Sequence, residues 1–362
     1  MFLAFGEIML RVAPEGRLRF RQTLPGRVDL TFAGAEANVC AALALWGQPC
    51  RYLTALPSNL IADSLLAVLR GLGIDTQFVV HRDVGRLGVY FVETGANQRS
   101  SLVVYDRDHS AVSLAGPSEY DFDRALDGVH WVHLSGITPA LSESAFLATL
   151  ELARLAAARG VPVSCDLNFR NKLWSWKPGF QARQLAHECM TQILPHVKLL
   201  IANEEDAGDV LGIHAKDTSV EAGRMNYAAF EQVARDAAAM FPNLSGVAIT
   251  LRESVSADHN NWGGLLLDVE ADRVHFAPLD AANLYRPYEI RDIVDRVGAG
   301  DAFAAGLLYA LHSQDYADSQ RAVQFAAAAS CLKHSIKGDF SYVTVPEIVS
   351  LMSGVASGRV RR

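Results

Sequence analysis

The chain has 362 residues, half of them apolar, and a formal net charge of −7. That length suits one large α/β unit with a subdomain and a sizeable core, and the mildly acidic balance, with no basic cluster before Gly358–Arg362, argues against a nucleic-acid partner. Five dispersed cysteines without a CxxC pair (Cys40, Cys50, Cys165, Cys189 and Cys331) read as buried free thiols, and a cytoplasmic location is expected.

The first run, FLAFGEIML, is too short to cross a bilayer and carries Glu7 without a basic leader, so it reads as a buried strand. The helical NVCAALALWG follows, then the strand RYLTAL and the helix LIADSLLAVLRGLG. Next come the helix SESAFLATLELARLAAARG, closed by Gly160, and the strands VPVSCDLN and KLLIAN. A short helix in EEDAGDVLGI, a helix around FEQVARDAAAMF and the strand GVAITL continue the order. This alternation predicts an α/β fold, a central mostly parallel sheet flanked by helices, as a single domain over residues 1–362. Two stretches depart from it, 11–32 and 86–114, where GRLGVYFVETG and RSSLVVYDRD form a hairpin-like pair. They predict a small antiparallel β lid that excludes water from a cleft; a plain β-extension or an oligomer surface is the alternative. Ligands of such sheets bind beyond the carboxyl ends of the strands, which puts Asn168–Arg170 and Asn203–Asp206 at the rim.

Residues 295–303, DRVGAGDAF, carry the most chemistry. Gly298 and Gly300 lack the Cβ atoms that would keep backbone N–H groups from converging on a phosphate, and the apolar helix that follows adds its positive dipole end. Asp301, at the same helix start, is placed to take the proton of an attacking hydroxyl while those N–H groups hold the charge of a transferring phosphoryl group. Phosphoryl transfer is the resulting hypothesis, against the plainer reading of a glycine turn capped by Asp. The segment is neither a P-loop nor GxGxxG.

Taken in order, AGAEANVCAALALWG, NEED and VGAGDAFAAGLLYAL resemble the successive signatures of the ribokinase-like (PfkB-type) carbohydrate kinases, and the resemblance runs from FGEIML to AAAASCLKHS. Within that family, DLNFRNKLWS, YDRD, ITLRESVSADHNNWGG and KHSIKGDF are similar to the 2-keto-3-deoxygluconate kinases. The resemblance implies Asp301 as base, the backbone of Gly298, Ala299 and Gly300 as anion hole, ATP as donor and Mg²⁺ as its companion. Glu204 and Asp206, beside Asn203, would position hydrated magnesium; Asp206 stands where the family usually has glutamate, which leaves Glu205 as an alternative. ATP contacts are expected from Asn168, Arg170, Asn203, Thr250, Arg252, Gly298 and Gly300. Substrate contacts are expected from Gly34, Asn38, Tyr90, Tyr105, Arg107 and Arg170, with Asp301 reaching the terminal hydroxyl. Arg107 and Arg170 would supply the bidentate fork that a sugar carboxylate needs. The expected reaction is ATP-dependent phosphorylation of the terminal hydroxyl of a small sugar acid, 2-keto-3-deoxygluconate to its 6-phosphate. A fructokinase-like kinase of a neutral ketose and an idle sugar-binding protein on the same fold are the alternatives.

After GVAITL the chain departs from many relatives: Arg252 is expected to replace a polar contact to ATP, and His259 and Trp262 to shape a purine pocket, unless 252–262 is a surface loop. The histidines show no zinc spacing. Asp295 with nearby carbonyls is expected to hold a monovalent cation, K⁺, as in several family members. A homo-oligomer through the β lid is expected, with no nucleic-acid or membrane partner.

Overall fold

The computed structural model describes residues 1–203, 205–215 and 227–354; Glu204 and the basic tail at 358–362 lie outside the described residues. The first third contains β1 (Phe2–Phe5), β2 (Met9–Ala13), α1 (Phe20–Thr23), β3 (Asp29–Ala33), α2 (Ala35–Leu45), β4 (Cys50–Leu53), β5 (Ala55–Pro57), α3 (Leu60–Gly71), β6 (Val80–Arg82), β7 (Val89–Glu93) and β8 (Leu102–Asp106). The middle contains α4 (Ala111–Leu114), α5 (Phe122–Ala125), β9 (Trp131–Ser135), α6 (Glu143–Ala158), β10 (Val163–Asp166), α7 (Ala182–Ile193) and β11 (Leu199–Ala202), then a π-helical turn at Ala207–Leu211. The remainder is α8 (Tyr227–Met240), β12 (Gly246–Ser256), β13 (His259–Asp268), β14 (Arg273–Ala277), β15 (Tyr288–Arg291), α9 (Ala299–Leu311), α10 (Ser319–Lys333) and α11 (Val345–Met352).

The main sheet runs β14-β13-β12-β11-β10-β9-β1-β4, with β15 also paired to β13. The six strands from β12 to β4 are parallel, and β13, β14 and β15 extend them antiparallel. Strand β1 is buried at every position because helices cover both faces, as expected of a parallel sheet. Its side chains alternate between two cores: Phe2 and Ala4 pack with residues of α2, α9 and α10, whereas Leu3 and Phe5 pack with residues of α5, α6 and α7. Strand β11 divides in the same way, Leu199 and Ile201 to the first core, Leu200 and Ala202 to the second. All five cysteines are free thiols, four buried and Cys331 half-buried.

Hydropathy alone misplaced two junctions. FLAFGEIML is not one strand: the chain leaves the main sheet at Gly6, where a Cβ would fall 2.2 Å from the Glu36 carboxyl, and resumes as β2 in a second sheet. RYLTAL likewise divides at Thr54 into β4 and β5, the latter pairing with β6. An apolar run records burial and not which sheet receives it. The second sheet has the order β3-β2-β7-β8; its hairpins β2–β3 and β7–β8 are antiparallel, while the join between them, β2 to β7, is parallel. The stretch 252–262 is no loop: β12 continues through Arg252, which pairs with Trp262 on β13.

Helices α9 and α10 approach closely at Gly306, where a Cβ would stand 2.9 Å from the Cα of Ala326. Gly306→Val is therefore expected to cost about 1–3 kcal/mol through overpacking, lowering the urea midpoint with little change in slope. An unchanged midpoint would mean that α10 steps back freely.

Candidate active site

The strand order changes direction between β1 and β9, since β4 lies on one side of β1 and all later parallel strands on the other. Crevices form beyond the carboxyl ends of strands at such a switch point. The cleft found there takes Glu7 from the end of β1, Ile137 from β9, Asp166 from β10, Asn203 from β11 and Thr250 from β12. Helix α9 closes its floor with Gly298 to Asp301, and the small sheet stands over it with Met9, Tyr90 and Tyr105.

Gly298 is the N-cap of α9, so Ala299, Gly300 and Asp301 form its first turn, whose N–H groups have no partner within the helix. Two constraints hold position 298 to glycine: its φ is +85°, and a Cβ would meet the Asp339 carbonyl oxygen at 2.3 Å. Gly300 differs, because among the described residues a Cβ there meets nothing within 4 Å beyond its own helix, and it lines the cleft. The Asp301 carboxylate accepts a 2.6 Å hydrogen bond from Asn38 Nδ2. Burial pushes its pKa up to about 6, opposed by the Asn38 hydrogen bond and the charges of Arg170 and Lys333, and assisted by Asp339. It is thus charged at neutral pH yet basic enough to receive a proton.

Asn38 is itself held by the start of α2. The Gly34 N–H donates to Asn38 Oδ1 at 3.3 Å, and a Cβ on Gly34 would overlap the Glu7 carbonyl oxygen at 2.1 Å. Glu36, in the same turn, is fully buried and accepts from Ser135 Oγ at 2.7 Å and Thr138 Oγ1 at 2.9 Å, tying α2 to the end of β9. Burial pushes its pKa up to about 7.

Thr31, Arg11, Tyr90 and Tyr105 lie in one cross-strand row of the small sheet. Tyr90 is buried and its hydroxyl donates to Asp339, 2.7 and 2.8 Å from the two carboxylate oxygens, so it reaches the cleft already engaged. Arg107 is also buried and pairs with the Glu7 carboxylate, and its guanidinium lies 5.4 Å from the Tyr105 ring centroid. The fork expected to be free for a sugar acid therefore has a counter-charge of its own. Arg170 is exposed on the opposite wall, its Nη1 donating to the Phe169 carbonyl at 2.9 Å.

At the rim, Asn168 holds the left-handed conformation with φ +39°, and its N–H donates to Asp166 at 3.1 Å. Asp206 accepts from the N–H groups of Phe169 and Asn203, each at 3.0 Å, so it clamps two loops together as well as facing the cleft. Burial raises the Asp166 pKa, and the charges of Asp206 and Asp301 add to it. On the side of α10, Trp262 packs edge-on against His334 with centroids 4.9 Å apart, and Arg296 donates to Asn260 Oδ1 at 2.8 Å. Arg252 and Thr250 line the same end. Burial holds His334 down to about 4, so it is neutral.

Sixteen of the residues singled out in the sequence line this one cleft: Gly34, Asn38, Tyr90, Tyr105, Arg107, Asn168, Arg170, Asn203, Asp206, Thr250, Arg252, Trp262, Gly298, Ala299, Gly300 and Asp301. His259 does not; it faces Glu289 at 3.4 Å. Asp295 does not either, lying behind the turn with its carboxylate 2.6 Å from Arg11. The sequence reading missed Glu7, Asp166, Asn260, Arg296, His334 and Asp339, all of which line the cleft. A charged residue inside an apolar run, as in FLAFGEIML, was a usable signal for Glu7; Asp339 carried none.

The model of the pfkB family carbohydrate kinases matches residues 2–232 and 280–340. The 2-dehydro-3-deoxygalactonokinase of Haloferax volcanii is 30% identical over 358 residues, covering 98% of each chain, and the 2-dehydro-3-deoxygluconokinase of Thermoproteus tenax is 27% identical, covering 93% of this chain and 89% of its own. The crystal structure of 2-dehydro-3-deoxygluconokinase from Thermotoga maritima superposes with a TM-score of 0.86 at 41% identity, covering 98% of this chain and 99% of that one. With a matching family model over most of its length, and with Asp301, the glycine turn at the start of α9 and the small sheet gathered in one cleft, the chain belongs to the pfkB family of carbohydrate kinases.

Proposed function

We propose that this carbohydrate kinase transfers the γ-phosphoryl group of ATP to the terminal hydroxyl of a 2-keto-3-deoxy sugar acid, 2-keto-3-deoxygluconate above all. The observation that carries the reading is Asp301, held by Asn38 beside the unpaired N–H groups of the first turn of α9. The substrate hydroxyl gives its proton to the Asp301 carboxylate as its oxygen bonds to phosphorus, and the bond to the ADP oxygen breaks. The N–H groups of Ala299 and Gly300 hold the charge spread over the phosphoryl oxygens. Mg²⁺ would be held through water by Asp166 and Asp206, whose hard oxygen donors suit it, and would neutralise phosphate charge. Arg252 and Arg296, with Trp262 and His334 beyond them, form the nucleotide end of the cleft. The sugar carboxylate is placed between Arg107 and Arg170.

The first test is coupled turnover with ATP and Mg²⁺ on 2-keto-3-deoxygluconate, its galactonate epimer, fructose and ribose. Preference for the two keto-deoxy acids is expected; preference for a neutral sugar would remove the carboxylate clamp, and no turnover on any would leave a binding protein.

Asp301→Asn is expected to lower kcat about 10²–10⁴-fold with sugar affinity nearly intact. Because the base acts as carboxylate and burial raises its pKa, kcat/KM is expected to hold at neutral pH and fall as pH drops through about 6. Asn38→Ala removes a donor to the charged form, so that limb moves to higher pH; an unmoved limb would assign it to another group.

Arg107→Ala is expected to raise KM for the acid roughly tenfold or more, the range of a lost hydrogen bond to a charged group. Part of the loss comes from leaving buried Glu7 uncompensated, and the double variant with Glu7→Gln should recover that part. A neutral sugar affected as strongly as the acid would contradict the clamp.

The outer face of the small sheet carries the apolar row Leu30, Val12, Phe91 and Val104, with Leu30 60% and Val104 51% exposed. A row of this kind supports a second copy of the chain as its cover. Val104→Asp should then shift the species seen by light scattering to a monomer; a wild-type monomer would dismiss the oligomer.

A further inference from the structure

Behind the turn at Gly298 lies a buried ionic cluster that the transfer chemistry does not use. Arg11, on β2 of the small sheet, is 3% exposed and bridges two carboxylates from the far end of the chain. Its Nη2 donates to Asp295 Oδ2 and its Nη1 to Asp339 Oδ1, each at 2.6 Å. Asp295 also accepts the N–H of Val297 on Oδ1 and that of Gly338 on Oδ2, each at 3.1 Å. Both oxygens are therefore taken by donors, three in all. Asp339 in turn accepts from Tyr90, the neighbour of Arg11 in the cross-strand row.

A second cation lies close by. Lys333 is fully buried and its Nζ donates to the Ile336 carbonyl at 3.2 Å; burial lowers its pKa, while the charges of Asp295, Asp339 and Asp301 oppose that and Arg11 adds to it. A Cβ on Gly298 would come within 3.2 Å of Lys333 Cε. The monovalent cation expected at Asp295 does not fit this arrangement. It would have to displace a guanidinium from, or crowd onto, a carboxylate that already accepts three donors, and enter a cluster that already holds two buried cations, where a further positive charge is repelled and costly to desolvate.

We propose that Arg11 is the resident cation of the anion-binding turn, a positioning residue that fixes Asp295 and Val297 just before Gly298, so that transfer needs no added monovalent cation. The proposal rests on the kinase reading above. It also couples the two substrates' walls: the guanidinium that holds the turn is borne by the strand whose partner, Tyr90, stands over the cleft, so a shift of the small sheet moves the turn with it.

The test uses the full chain with ATP, Mg²⁺ and the best substrate of the panel, in potassium, sodium or tetramethylammonium chloride at equal ionic strength. Equal rates and equal melting temperatures in all three are expected, since a bound ion would raise the melting temperature. Arg11→Ala should lower kcat about a hundredfold, as for a misplaced reacting group, more than it changes KM for the sugar. Added guanidinium ion at sub-denaturing concentration should restore part of that rate, which a purely structural role would not allow. Arg11→Lys, which keeps the charge but cannot bridge both carboxylates, should fall between. A saturable rise of the wild-type rate or melting temperature with K⁺ would overturn the proposal. So would an Arg11→Lys variant with the full wild-type rate, or an Arg11→Ala variant that is folded by circular dichroism and either keeps its rate or gains nothing from guanidinium. Absence of turnover on every sugar in every salt would instead remove the kinase reading on which the proposal stands.

Discussion

Burial tends to strip a carboxylate of its charge, and in this cleft one hydrogen bond opposes that loss most directly. Asn38 Nδ2 lies 2.6 Å from Asp301 Oδ2, joining residues 263 positions apart. Burial raises the Asp301 pKa and the amide restrains the rise, with Arg170 and Lys333 acting in the same sense as the amide and Asp339 against it. The bond exists only because α2 and α9 share one apolar core on the same face of the sheet. Two contacts hold α2 in that place: Gly34 lets its first turn meet Glu7, and Glu36 ties it to the end of β9.

The small sheet shows how the same fold treats charge away from the reacting atoms. Its inner face presents Arg11, Tyr90 and Tyr105 in one row, and the buried cations Arg11 and Arg107 are each matched by carboxylates from the main body, Asp295 and Asp339 for the first, Glu7 for the second. An unpaired buried charge is costly, whereas a paired one fixes geometry. Pairing makes the sheet a built part of the cleft. Alternation puts the apolar row Leu30, Val12, Phe91 and Val104 on its other face, while Met9, Ala33 and Val92 pack with Tyr90 on the inner one.

Much of this was legible beforehand. The strand and helix order follows from hydropathy period, and DRVGAGDAF marked the glycine turn that starts α9 and put Asp301 in its first turn, facing the cleft. What escaped were buried polar residues whose partners lie far along the chain. Glu7 and Arg11 sit near the start of the chain and Asp295 and Asp339 near its end; Asp295 was singled out, but no local pattern says that Arg11 will meet the last two. His259 shows the opposite error, since proximity in sequence to Trp262 placed it near a pocket from which strand alternation turns it away.

Legible in the residues alone were the α/β class, the positions of most elements and the glycine turn with Asp301 at the start of α9, because these rest on local propensity, period and glycine chemistry. The tertiary structure alone decided which sheet receives each half of FLAFGEIML, that Arg107 reaches the cleft with Glu7 beside it, and that Asp295 faces a guanidinium. Those outcomes depend on which charges are buried together, and burial is a property of the packed chain that no single segment carries.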